Sequence, residues 1–345
     1  MSMTDDTLDE ALIRLRDTGP ERSGWLSNHA PMAVEALVRH GHADEVHGWI
    51  DGYRDLLEQA PRGIAPIEPE QWRDPLGDPV RTGDWLAFFA LRMRAAPWRE
   101  VLAVWWPRLL PGIAAGATHG VIRVGHAVRA LLAEETAPRV AELGQGLAYW
   151  AARWQPLAPA GRGSFRAGDP RAALDAVPRV PDQRFGIRAR LAQLAELPDW
   201  PATAAQIPGA GSVEDRLAAI ITAAVRNHGT HGYAAPVMLV HAATAPTAVL
   251  RVLPALPPAL ARPSLAAAWA ATAAVTSAYA PARPRPLTGG SAGAGDPAAV
   301  LARAAELGDA HAIKFADAAL DAWQRSGDPA LLAAADNATT LIADD

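Results

Sequence analysis

The chain of 345 residues has no cysteine and a single lysine, Lys314. Without cysteine there is no disulfide framework, thiolate nucleophile, zinc ribbon or iron–sulfur cluster, so any metal must sit on nitrogen and oxygen ligands. An excess of positive charge is also missing: 32 basic residues face 37 acidic ones, for a net charge of −5. No segment interleaves basic with aromatic residues, and nucleic acid is not expected as a partner. No glycine-rich dinucleotide fingerprint follows a strand, which argues against a tightly bound nicotinamide or flavin. The uncharged stretch between Arg262 and Arg283 is mostly Ala and Thr. It is too weakly apolar for a membrane span and reads as a buried helix. The first residues, MSMTDDTLDEALIRL, are acidic and polar where a signal peptide is cationic and then apolar. A cytoplasmic protein with no membrane partner is the expectation. Nothing in the chain indicates an oligomeric state.

Half of the residues are apolar, enough for a substantial core. Apolar side chains recur at three- and four-residue spacing over 7–16, 33–40, 45–58, 84–94, 121–135, 139–154, 213–226, 234–245, 264–279, 298–307, 310–324 and 328–342. Convincing two-residue alternation is missing. The 30 prolines and 28 glycines cluster between these segments and keep the helices short. Helix starts are legible at Ser27-Asn28, at Thr82, at Ser212 ahead of Glu214-Asp215, and at Asp328 before Pro329. The pattern predicts an all-α fold: one large multi-helix domain over 1–345, about a dozen short helices, with long Pro/Gly-rich loops at 155–185 and 281–297.

The chain contains 78 Ala, and its 32 basic residues are 31 Arg and Lys314. A lone lysine among so many arginines suggests a position where guanidinium cannot substitute, because only an amine becomes neutral and nucleophilic near pH 7. Ten histidines sort by their surroundings. His40, His42 and His47, in RHGHADEVHG, read as a solvated helix junction. His228 and His231, in NHGTHGY, read as a loop pair or a metal pair. His119 and His126 are seven residues apart and return to one face of a helix, with Arg123 between them. His311 and Lys314 lie one turn apart in DAHAIKFADAALDAW, among apolar neighbours that favour the neutral amine over a buried ammonium. A neutral lysine can act as a base, form a Schiff base, or take up carbon dioxide to give a carbamate that ligates metal. Pairing with Asp317 or Asp321 is the simpler alternative. His241 sits in the uncharged run APVMLVHAATAP, and His29 sits ahead of Pro31 at a helix entry. Any one of these would suit a core or cap position, but five apolar-context histidines with one apolar-context lysine make a better metal hypothesis than any single residue does.

NHAPM near the N-terminus, THGVIRVGHAVRALL, VHAAT followed by AVLRVLPAL, and HAIKFADA near the C-terminus resemble, in order and spacing, the questin oxidase-like family, over positions 28 to about 325. The resemblance implies an all-helical, cofactor-light oxygenase that cleaves a ring C–C bond of an anthraquinone-like aromatic polyketide, with a Baeyer–Villiger-type or dioxygenase outcome. It implies mononuclear non-haem Fe(II) held by four histidines and a carboxylated lysine, with dioxygen as co-substrate and NADPH as a possible, loosely bound reductant. Carried onto this chain, the lysine is Lys314, bearing a carbamate derived from carbon dioxide. The ligand histidines are drawn from His29, His119, His126, His241 and His311. All five with Lys314 would fill six positions and leave none open for oxygen, so one of the five stands off the metal. Arg123 is expected to act catalytically by stabilising a developing oxyanion. Trp25, Trp105, Trp106 and Trp150 are candidates for an apolar slot around a bulky, flat small-molecule aromatic substrate, or for simple core filling. Two rivals stay open: a metal-dependent hydrolase with a carbamylated lysine, and a non-catalytic helical ligand-binding protein.

Overall fold

The computed structural model describes residues 3–159, 163–287 and 295–345, and the chain divides into two compact units. Both are helical, as the periodicity requires.

The first unit comprises residues 1–156 and 251–260. Its helices are α1 (Met3–Leu15), α2 (Ala30–Arg39), α3 (Val46–Arg54), α4 (Thr82–Ala95), α5 (Trp98–Leu109), α6 (His119–Ala133) and α7 (Ala137–Ala152). Three short strands interrupt them: β1 (Thr18–Arg22), β2 (Leu26–Ser27) and β3 (Leu57–Gln59) form an antiparallel sheet in the order β2-β1-β3. At two to five residues, these strands are too short for alternation to register. The core is aromatic. Trp72, Trp85, Phe88, Phe89 and Trp105 make mostly edge-to-face contacts with ring centres 4.9–5.8 Å apart. Trp106 and Trp150 pair at 5.3 Å, and Trp150 donates its indole N–H to Gly112 O. Three of the four tryptophans considered for a substrate slot, Trp105, Trp106 and Trp150, are thus core residues, while Trp25 is exposed at the β1–β2 turn.

The second unit comprises residues 157–250 and 261–345. It contains α8 (Pro170–Asp175), α9 (Ile187–Ala192), α10 (Trp200–Ala205), α11 (Val213–His231), α12 (Pro236–Leu239), α13 (His241–Val252) as far as Leu250, α14 (Ala261–Tyr279), α15 (Pro297–Leu307), α16 (Ala310–Ser326) and α17 (Pro329–Ala343). A two-residue parallel pair joins β4 (Ser164–Phe165) to β5 (Gln206–Ile207). Small side chains build this core. On α14 the buried hydroxyls of Thr272, Thr276 and Ser277 donate to Ala242 O, Thr272 O and Pro178 O, so these three are satisfied among the alanines. α14 is the buried helix expected between Arg262 and Arg283.

Several helix starts form as the sequence suggests. Ser212 and Asp215 make a reciprocal capping box, and the Asp328 carboxylate accepts the Ala330 N–H. The expected loop at 155–185 contains α8, started by Asp169 ahead of Pro170. The periodic run 234–245 breaks between α12 and α13, and α5 emerges from a stretch whose Pro107 masked its periodicity. Of the loop expected at 281–297, positions 288–294 lie outside the described residues. Among the described residues one stretch, Pro236–Ala255, is long and apolar enough to cross a membrane, and 72% of it is buried.

Candidate metal centre

In the first unit His29 and His119 meet. His29 stands at the entry of α2, after Asn28, whose side chain accepts the Ala30 N–H and donates to Gly19 O. His119 is the first residue of α6. Both are buried, and their Nε2 atoms lie 2.8 Å apart. His119 Nδ1 is 2.5 Å from Gly116 O. A carbonyl only accepts, so Nδ1 carries the proton and Nε2 carries the lone pair. The carbonyl is presented by an unusual turn in which Gly116, Ala117 and Thr118 all have positive φ, at 53°, 58° and 69°. A Cβ on Gly116 would lie 2.3 Å from Tyr149 Oη, which itself bonds Ser27 Oγ two residues before His29. Tyr149 therefore braces the approaches to both rings.

His126 goes elsewhere. It shares a helix face with His119, but seven residues at 1.5 Å each set it ~10 Å further along the axis, beyond the reach of a common ion through short side chains. Its Nδ1 donates to Glu35 Oε2 at 2.7 Å, and Glu35 is also held by Arg129. Arg251 Nη1 donates to His126 Nε2 at 3.3 Å, so that lone pair is already engaged. Burial, opposed by Glu35, pushes His126 down to about 4. Glu35 is held near 2: burial alone would raise it, but Arg129 and His126 outweigh that.

Arg123, expected beside the two imidazoles as an oxyanion donor, is instead clamped to Glu142 of α7, with Nε–Oε1 at 2.6 Å and Nη2–Oε2 at 2.8 Å. It borders a cavity of about 10 Å³ together with Glu35, His126, Arg139 and Glu142. That is about the space of one water and far below what a fused aromatic ring system needs. Arg123 is thus a buried cation paired with Glu142 and bonded to Gln145 Oε1.

In the second unit His241, His311 and Lys314 gather. His241 is the first residue of α13, and its Nδ1 donates to Met238 O at 3.0 Å. His311 and Lys314 lie one turn apart on α16 and are both buried, Lys314 to 1% exposure. Asp309 caps α16 by accepting the His311 and Ala312 N–H groups, and its Oδ1 lies 3.4 Å from His311 Nδ1. Asp309 is held near 2, burial being outweighed by the hydrogen bonds and charge of His311. The His241 and His311 rings are 5.5 Å apart and nearly perpendicular. Burial first, then His311 and Lys314, drive His241 well below its usual range, so it is neutral. Asp317, fully buried, follows Lys314 by one turn.

The remaining histidines take structural places. His228 Nε2 donates to Pro236 O at 2.9 Å and its ring packs on Phe315, while His231 Nδ1 donates to Asn227 O at 3.2 Å. His42 pairs with Glu45, and His47 with Arg14 and Glu10, at the surface.

Beside the His311–Asp309 ion pair, His119 and His241 share one arrangement. Nδ1 faces an oxygen that can only accept, which leaves the lone pair on Nε2 and aims it away from the chain that holds the ring. Metal-binding histidines are oriented in this way, and imidazole suits iron, zinc, copper or nickel. Glu35, Tyr53, Asp309 and Arg251, which position these rings, were not found by sequence reasoning. Only Asp309 left a signal, an Asp two residues before a buried histidine at a helix start. Comparison with known protein families and with curated proteins finds no match for this chain.

Proposed function

We propose that the protein is a non-haem iron oxygenase of the cytoplasm, acting on an aromatic polyketide of the anthraquinone type. By its sequence resemblance to the questin oxidase-like family, the iron ligands would be drawn from His29, His119, His241 and His311, with a carbamate on Lys314 as the oxygen donor. The observation that carries the reading is the shared Nδ1 arrangement of His119 and His241, with His311 and Lys314 buried beside His241. Imidazoles with the lone pair left on Nε2 are prepared for metal. The resemblance of NHAPM, THGVIRVGHAVRALL and HAIKFADA to questin oxidase-like sequences points the same way. When bound, ferrous iron would supply the redox centre at which dioxygen is made reactive. The chain's own part is to hold that centre dry and nitrogen-rich, with burial keeping His241 uncharged. His126 is left out of the ligand set because Arg251 and Glu35 engage both its nitrogens. Arg123 has no part in the reaction under this reading.

The test is anaerobic loading with ferrous iron, metal analysis after gel filtration, and oxygen uptake in the presence of a hydroxyanthraquinone. Iron retained with substrate-dependent oxygen consumption supports the reading. Zinc retained with hydrolytic activity points to a metal-dependent hydrolase with a carbamylated lysine, and no metal at all leaves a helical ligand-binding protein. Exposure to ¹³C-labelled carbon dioxide, followed by carbon NMR, separates a Lys314 carbamate from an ion pair with the buried Asp317.

A further inference from the structure

We infer that Tyr53 is a positioning residue that decides which nitrogen of His29 carries the proton, and so whether His29 can hold a metal; this rests on the metal-binding reading above. The Tyr53 ring is fixed by stacking on Trp49 of the same helix, 4.8 Å away and 16° from parallel, with the Arg22 guanidinium 5.8 Å from its centre. Its oxygen accepts the backbone N–H of His29 at 3.2 Å and lies 3.3 Å from His29 Nδ1.

The proton positions follow from the far end of the chain of groups. His119 Nδ1 must donate to Gly116 O, so His119 Nε2 presents a lone pair to His29 Nε2 at 2.8 Å. Two facing lone pairs at that distance would repel, so His29 carries its proton on Nε2. His29 Nδ1 is then an acceptor, and the Tyr53 hydroxyl donates to it. The result is a one-way chain: Tyr53 O–H to His29 Nδ1, His29 Nε2–H to His119 Nε2, and His119 Nδ1–H to Gly116 O.

For His29 to offer Nε2 to a metal, its proton has to sit on Nδ1. The ring keeps the same number of protons; one leaves Nε2 and one arrives at Nδ1. The group facing Nδ1 must therefore change from donor to acceptor. A hydroxyl does this by rotating its hydrogen, whereas a carbonyl or carboxylate can only accept and an ammonium can only donate. His119 and His241 face carbonyls, which lock one tautomer. His29 faces the one kind of partner that permits both. Tyr53 thereby supports a closed, metal-free pair and an open, metal-holding pair with the same backbone.

The experiment uses the full-length protein with ring-¹⁵N histidine and zinc as a redox-inert probe. Zinc affinity is measured by competition with a chromophoric chelator for wild type, Tyr53→Phe and His29→Ala, and long-range proton–nitrogen spectra report the His29 tautomer. The expected result is a His29 proton on Nε2 without zinc and on Nδ1 with zinc. Tyr53→Phe should bind zinc ~10–100-fold more weakly, the range for loss of an outer partner of a ligating histidine. An unchanged tautomer on zinc binding to wild type overturns the inference, as does a Tyr53→Phe affinity equal to wild type when His29→Ala weakens binding. If His29→Ala binds as wild type does, or wild type binds no zinc, the metal reading itself fails. The wild-type spectra decide the matter even if a variant is poorly folded.

Discussion

His119 and His241 each open a helix and each give Nδ1–H to the carbonyl three residues back, yet the two units reach this arrangement by different backbones. In the second unit the preceding residue Val240 is ordinary right-handed helix, at φ −59° and ψ −29°. In the first unit three successive residues are left-handed, two of them not glycine. Left-handed geometry costs roughly 1–2 kcal/mol for each such residue. Thr118 adds to the cost, because its buried hydroxyl has no hydrogen-bond partner. The same ring orientation is thus nearly strain-free at His241 and expensive at His119. Strain kept in a folded protein clusters where geometry matters for function, which makes the 116–118 turn a device for aiming His119.

The largest effect that would sharpen this contrast lies in the second unit. Lys314→Arg preserves charge but cannot carry a carbamate, and metal affinity is expected to fall by more than about 100-fold, read by metal content after dialysis against a weak chelator. Retained metal would remove Lys314 from the site.

Gly116→Ala is the matching perturbation in the first unit. Its methyl group would meet Tyr149 Oη at a φ suited to glycine, and a loss of about 2–4 kcal/mol in urea-unfolding stability is expected, with weaker zinc binding as Gly116 O shifts. Met238→Ala, the counterpart beside His241, keeps its carbonyl and should leave zinc binding unchanged. Equal effects of the two substitutions would break the comparison.

Next comes acid sensitivity. Burial pushes His228 down to about 4, opposed by its bond to Pro236 O. The unfolded chain takes up this proton near pH 6.5 and the folded chain only near 4. The stability contribution is therefore complete above pH 6.5 and is lost as pH falls toward 4, by roughly 3 kcal/mol in all. Urea midpoints between pH 7 and 4 should decline, and His228→Leu should flatten that part of the profile. A wild-type profile that is level over this range would contradict a neutral buried His228.

The smallest expected effect is a gain. Ala117→Gly relieves one left-handed residue and should stabilise the protein by about 1 kcal/mol without altering zinc affinity. A loss of stability would mean that the turn is not strained at Ala117.

The helices were legible where apolar spacing and caps agreed, as at Ser212–Asp215 and Asp328–Pro329. α5 and the break before His241 were not, because Pro107 and an unbroken apolar run hide the local periodicity. Among the candidate ligands, sequence spacing singled out His119 and His126 as partners, since angle around a helix is readable from residue number. Their separation along the axis turned out to matter more, and each ring found a partner from α2 or its entry instead: His29 for one and Glu35 for the other. Arg123 was placed on the right face, but its guanidinium was claimed by Glu142, 19 residues away in a helix whose packing no local pattern specifies.

By itself the sequence determined an all-α fold, the burial of His29, His119, His241, His311 and Lys314, and the exclusion of thiolate ligands for any metal. These follow from composition and short-range periodicity, which act on residues within a few turns of one another. The tertiary structure alone decided which nitrogen of each ring carries its proton, and which of the apolar-context histidines and arginines were already engaged. Those outcomes depend on single donors and acceptors brought in from distant segments, and a hydrogen bond is set by tenths of an ångström that no spacing rule encodes.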